Sequence, residues 1–413
     1  MRNWAGNLTY RARELVRPAT LGELAEVLAH ADRVRPLGSR HSFSDVADTD
    51  GVQVVVDSLD DGRPAVRVDP ATGAAEVAAG LRYGDVVGAL HASGRALPTM
   101  ASLPHISVAG AVATATHGSG DTSGSLPSAV VGLELMTPGG EVLRLGRGDA
   151  DFAGAVVSLG ALGVVTRVVL ETVPAYDVRQ EVALDVPWSA VLDRFDEVTG
   201  AAHSVSIFTS WAEPAVRQMW FKRAEHGTEG PRDAFGGRWA TEAVHPIPGA
   251  DPAACTPQLG RPGPWHERLS HFRLEFTPSA GDELQSEYLL PRRHAIAAIG
   301  ALRALAPKVA PLLQTSEIRT VAADDQWLSP FSEDSVGVHF TWLPRGPEVA
   351  AVLPDVEAAL LPLGARPHWG KAFAVDLRDV GATYPRLGDF RRLAERLDPA
   401  GKLRGPFLER LLP

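Results

Sequence analysis

The apolar positions of this chain alternate between helical and strand periods. Between residues 19 and 31, Leu21, Leu24, Val27 and Leu28 recur on one helical face. Thr20 and Glu23 supply a capping box at its start. Short β-branched or apolar runs at 33–37, 52–56 and 74–78 read as strands. Helical spacing returns over 81–91 and stops at Ser93-Gly94. Two runs, 130–136 and 142–145, flank Thr137-Pro138-Gly139-Gly140 and predict a hairpin. A helix over 149–159 and a strand over 164–171 follow, and Pro174-Ala175 closes the first half. In the second half, strands are expected at 204–211, 217–222, 286–290, 312–321 and 336–343. Helices are expected at 293–305, 348–361 and 384–397, the last closed by Asp398-Pro399-Ala400-Gly401. Residues 231–264 show no period and read as a surface connection carrying Cys255. No internal repeat appears.

Composition narrows the class. A chain of 413 residues accommodates two or three packed domains. With 40 Gly and 32 Pro it is turn-rich, which favours an α+β or α/β build. The net charge of −10, with no Lys/Arg-rich run, argues against a nucleic-acid surface or an anionic-membrane surface. Cys255 is the single cysteine, so an intrachain disulfide and a multi-cysteine metal site are excluded. A reducing cytoplasm suits that usage. The start of the chain has no apolar leader segment, and no run approaches the ~18 apolar residues of a membrane span.

Four stretches carry candidate chemistry. In Pro36-Leu37-Gly38-Ser39-Arg40-His41-Ser42-Phe43, a Gly-Ser turn can aim backbone N–H groups at an anion, with His41 beside it. It is neither a Walker loop nor a G-x-G-x-x-G fingerprint, and alone it also reads as a polar turn. Residues 98–120 are dominated by small and hydroxyl side chains. They fit tight packing, or backbone brought close to a large flat ligand; the second is preferred, because the stretch is too long for a turn. Glu317 and Arg319 project from one face of a strand, as a structural ion pair or as the lining of a polar pocket. Pro367-His368-Trp369-Gly370-Lys371 is a dense donor set that reads either as an interfacial loop or as a cation near developing negative charge. His339 alternates with apolar neighbours and reads as a satisfied sheet histidine. No histidine spacing fits a metal site, and none is expected.

Together, Gly38-Ser39-Arg40-His41-Ser42, Ala101-Ser102-Leu103-Pro104-His105, Thr116-His117-Gly118-Ser119-Gly120, Glu317-Ile318-Arg319 and His368-Trp369-Gly370-Lys371 resemble the covalent-flavin oxidases of the vanillyl-alcohol-oxidase type. Within these the chain is most similar to the alditol (xylitol/sorbitol) oxidases, with sugar-1,4-lactone oxidases as nearest relatives. The resemblance implies an α+β fold: a two-subdomain FAD-binding domain over 1–175 and a cap domain with a large antiparallel sheet over 176–413. Residues 372–413 are expected to pack back on the first domain. It implies a monomer that oxidises a terminal CH₂OH to an aldehyde and reduces O₂ to H₂O₂. FAD would be joined covalently through His41. Pro36, Leu37, Gly38, Ser39, Arg40, Ser42, Ser102, Ser107, Gly110, Ala111, Val112, Ala113, Ala115, His117, Gly163, Val164, Thr341 and His368 would contact it. Ser102, Glu317, Arg319 and Lys371 would bind the polyol, with Lys371, Arg319 and Glu317 also catalytic. The sequence departs from the family pattern at Arg40, where many members carry Gly, and at 402–406, which lacks the expected Phe and Asn. Oxygen reactivity would depend on access past Ala101.

Overall fold

The computed structural model describes residues 1–225, 233–276 and 283–413. The helix Leu21–His30 is capped by Thr20, whose Oγ1 accepts from the Glu23 N–H at 3.2 Å. The Glu23 carboxylate reaches back to the Ala19 N–H at 2.7 Å. Leu24 and Leu28 seat this helix on a parallel sheet of Glu14–Val16, Val52–Val54 and Val34–Pro36. A second, antiparallel sheet is ordered Val66–Val68, Ala75–Ala78, Val164–Leu170, Val130–Met136, Val142–Gly146. The hairpin 130–146 therefore forms where its turn residues place it.

The second half is built on a nine-stranded sheet. Its main path runs Arg238–Trp239, Asp177–Pro187, Ala215–Ala224, Ser204–Thr209, Leu313–Val321, Ser335–Trp342, Leu284–Pro291, Arg366–Pro367, and Gly263–Pro264 pairs with Asp177–Pro187. Strand alternation divides its faces. Ile318, Val338, Phe340, Tyr288 and Leu290 pack on the helices Ala295–Ala304 and Gly346–Leu360. Thr315, Glu317, Arg319, His339, Thr341 and Glu287 turn to the opposite face.

The C-terminal segment returns to the first half. Leu377, Tyr384, Phe390, Phe407 and Leu411 share one core with Tyr83, Val86, Leu90 and Phe152. Buried Arg35 ties the ends together, donating to Leu403 O at 2.9 Å, Gly160 O at 3.0 Å and Leu159 O at 2.6 Å, and to Val46 O. Lys402 donates to Leu28 O and Ala29 O at the end of the first helix. So 402–406, which departs from the family pattern, still makes firm contacts.

Two expectations need correction, and one strand went unread. The helix over 149–159 shrinks to Phe152–Val156: Val157 (φ −94°, ψ 81°) already leaves helical geometry, and Leu159 (φ 52°) and Gly160 (φ 69°) then turn left-handed. Residues 231–264 are not a plain surface connection; 231 and 232 lie outside the described residues. Cys255 is buried against Phe208, Trp220 and Phe272, with its thiol pushed up to about 12 by burial. The strand Asp177–Pro187 was not anticipated. Its inward position 180 is a glutamine, fully buried and donating to Thr256 O at 3.2 Å, which masks the apolar alternation. Among the described residues no single helix is long and apolar enough to cross a membrane.

Candidate active site

One long cavity lies between the two halves. Pro36, Leu37, Gly38, Ser39, Arg40, His41 and Ser42 line it, with Ser107, Gly110, Ala111, Ala113, His117, Gly163 and Val164. Val112 and Ala115 do not: the helix Val108–Ala113 and the turn after it direct both into the core, where they are 2% and 0% exposed. The 36–42 loop is locked to this helix by reciprocal bonds. Ser39 N–H donates to Ser107 Oγ at 3.3 Å and Ser107 N–H to Ser39 Oγ at 3.0 Å. A Cβ on Gly38 would lie 2.3 Å from Ser107 Oγ, and one on Gly110 2.7 Å from it, so a side chain at either position would displace the Ser107 hydroxyl that links the two. Arg40 has φ 65°, the left-handed region in which glycine is unstrained. The glycine that the resemblance leads one to expect here would adopt this backbone without strain.

His41 is half-buried, with both ring nitrogens shielded from water and neither engaged by a side chain. Burial pushes its pKa down to about 4, so the imidazole is neutral. A histidine on a cavity wall whose shielded nitrogens meet no side chain suits a ligand seated in that cavity. A flat aromatic cofactor fits both this ring and the wall of small residues beside it.

The facing wall is charged. Arg319 lies between two carboxylates: its Nη2 is 2.5 Å from Glu287 Oε1 and its Nε 3.6 Å from Glu317 Oε2. Its Nη1 donates to Ser102 Oγ at 3.3 Å. His271 Nε2 is 2.9 Å from Glu317 Oε1. Burial disfavours the Glu317 carboxylate, but Arg319 and His271 outweigh it and hold its pKa far below the usual range. Glu287 is likewise held down, against its burial, by Arg319 and His117, whose Nε2 is 3.1 Å away. Lys371 binds Gln285 Oε1 and sits 5.2 Å from the Phe43 ring centre. Burial pushes it down to about 8, with Glu287 opposing. Thr341 and His368 also line the cavity, the latter pushed down to about 3 by burial.

Sequence reasoning missed several of these groups. His339 is no ordinary sheet histidine: it lines the cavity with its Nδ1 3.6 Å from Glu287 Oε2. Glu287, Gln285, His271 and Thr315 are also in the wall, and Thr315 Oγ1 is buried without a partner. His271 is carried by a loop that Lys222 fixes by donating to the carbonyls of Arg268, Leu269 and Ser270 at 2.8, 2.6 and 2.8 Å.

The cavity thus has a backbone-and-glycine wall on one side and an ionised, hydrogen-bonding wall on the other, an arrangement suited to a flat cofactor facing a polar substrate. Residues 12–146 match the FAD binding domain model, and residues 282–411 match that of D-arabinono-1,4-lactone oxidase. An alditol oxidase of Streptomyces sp. is 50% identical over 99% of this chain and 98% of its own. An L-gulono-1,4-lactone dehydrogenase of Mycobacterium tuberculosis is 30% identical over the same shares. Among solved structures, cholesterol oxidase from B. sterolicum superposes with a TM-score of 0.77 at 14% identity, covering 100% of this chain and 96% of that one, which shows the fold. The chain belongs to the alditol oxidase family of FAD-dependent oxidoreductases.

Proposed function

We propose that the protein oxidises the terminal CH₂OH of an alditol such as xylitol or sorbitol to the aldose, with O₂ reduced to H₂O₂. The observation that carries this reading is the hydroxyl-binding set around Arg319: Ser102, Glu317 and Arg319 on one side, Lys371 and Gln285 on the other. A polyol is neutral and covered in hydroxyls, so selecting it takes several fixed donors and acceptors. The full-length relative named alditol oxidase supports the same substrate class.

FAD, when bound, supplies the hydride acceptor. Glu317, ionised and held by His271, accepts from substrate hydroxyls. Ser102 donates or accepts, and the unpartnered Thr315 hydroxyl offers a further contact two residues along the same strand face. Arg319 and Lys371 present positive charge where the reacting hydroxyl gives up its proton. Covalent attachment through His41 is part of the proposal and is supported by ring nitrogens on the cavity wall that no side chain engages. We also read residues 1–175, with 372–413 returned to their core, as the cofactor domain.

The match of 282–411 to a lactone oxidase model keeps a sugar-1,4-lactone as the second reading. Peroxide release on xylitol and sorbitol, with little on L-gulono-1,4-lactone, supports the first; the reverse order overturns it. After acid denaturation, yellow flavin should remain with the wild-type polypeptide and leave His41→Ala.

A further inference from the structure

Trp4 has no part in the chemistry above, yet it touches His41. The indole and imidazole are stacked, with ring centres 5.2 Å apart and planes 20° from parallel. The chain around Trp4 is tied to both sides of His41. Trp4 N–H donates to Arg40 O at 2.9 Å, Asn3 Nδ2 to Ser42 O at 2.9 Å, and Asn7 Nδ2 to Phe43 O at 3.1 Å. The strap is braced within itself: Asn3 Nδ2 donates to Asn7 Oδ1 at 2.6 Å, and Leu8 N–H to Asn3 Oδ1 at 3.0 Å. Asn3 is 4% exposed, so its side chain is shielded from water, while Asn7 lies at the surface.

A histidine shielded from water is ordinarily oriented through hydrogen bonds at its nitrogens. No side chain supplies one to His41. Stacking covers a ring face and leaves the ring edge free, and the nitrogen lone pair lies in the plane of that edge. The ring is thus held in place while its nucleophilic atoms remain available.

We propose that residues 3–7 form a clamp in which Trp4 positions the His41 imidazole for bond formation with the 8α-carbon of FAD. This rests on the covalent reading given above. One hydrogen leaves the 8α-methyl group and one leaves the imidazole as the C–N bond forms. The two electrons released reduce the flavin ring and then pass, with two protons, to O₂ as H₂O₂. Trp4 is a positioning residue. It lines the cavity, but its effect on the bond acts through His41.

The test follows covalent attachment rather than turnover. Trp4→Leu, Trp4→Phe, Asn7→Ala and His41→Ala are produced with FAD. Total flavin is measured in the native protein, and the flavin that stays with the polypeptide is followed over time after acid quenching. Trp4→Leu should bind FAD yet attach it about tenfold more slowly, as expected for loss of an aromatic stack of ~1.5 kcal/mol. Trp4→Phe, which can still stack, should restore most of the rate. Asn7→Ala loosens the strap from outside the ring and should slow attachment less, which keeps the test intact if Trp4→Leu does not accumulate. Attachment at the wild-type rate in Trp4→Leu and Asn7→Ala overturns the clamp. Loss of bound and attached flavin in equal proportion also overturns it, since that marks a structural role alone. If His41→Ala retains flavin after acid, the covalent reading itself falls, and the clamp with it.

Discussion

Residues 36–42 and 101–117 meet the cavity with backbone and small side chains, whereas the nine-stranded sheet meets it with Glu287, Glu317, Arg319 and His339. The first wall is held by local links, such as the Ser39–Ser107 pair and the two close-packed glycines. The second is held by charges that need one another. Burying an ion is costly unless its partners are in place, so removing one member of the charged wall exposes the rest to that cost. The first wall carries little charge of that kind. Substitutions there should alter how FAD is held and leave the fold largely intact. Substitutions in the charged wall should damage rate and stability together.

The sharpest contrast is Arg319→Met against His41→Ala. Arg319→Met leaves Glu287 and Glu317 buried without their shared cation, and should lose about 3–5 kcal/mol of stability in denaturant melts. It should also lower flavin reduction by about 10³-fold. His41→Ala should melt close to wild type when FAD is saturating. Equal destabilisation by both would erase the distinction between the walls.

Lys371→Met should slow anaerobic flavin reduction by roughly 10²–10³-fold. Its ammonium has a pKa lowered to about 8, so positive charge is present below that pH and lost as pH rises through it. Reduction by wild type should therefore decline above about pH 8. That limb should be missing from Lys371→Met. A wild-type rate in the variant contradicts the role given to Lys371.

Lys222→Met tests the support beneath His271. Three carbonyls lose their donor, and the loss of stability should be about 2–3 kcal/mol in equilibrium unfolding. Thr315→Val should raise KM for a polyol by about tenfold with the reduction rate at saturation unchanged, as expected for one neutral hydrogen bond. Arg40→Gly should produce the smallest change, a gain of at most ~1 kcal/mol from relief of the left-handed backbone.

The same contrast explains what could be read from the sequence. The first wall was legible because its residues are contiguous. A Gly-Ser turn before His41, and a long run of small residues, signal close backbone approach without any knowledge of the fold. Glu317 and Arg319 were legible because spacing of two on a strand puts them on one face. Glu287 and His339 were not. Their roles arise from register: Glu287 pairs with His339, and His339 with Glu317, in a row across three strands. No local pattern sets that row. His271 reaches Glu317 only through the loop that Lys222 holds. Gln180 hid a whole strand by placing a polar side chain on an inward position.

The central claim is that the charged wall orients a polyol for hydride transfer to FAD. It is tested most directly by mixing the yellow holoenzyme anaerobically with xylitol or with L-gulono-1,4-lactone and following loss of the flavin colour. Rapid, saturable bleaching by xylitol, with slow or no bleaching by the lactone, is the predicted result. A lactone that bleaches the enzyme while xylitol leaves it yellow would contradict the account.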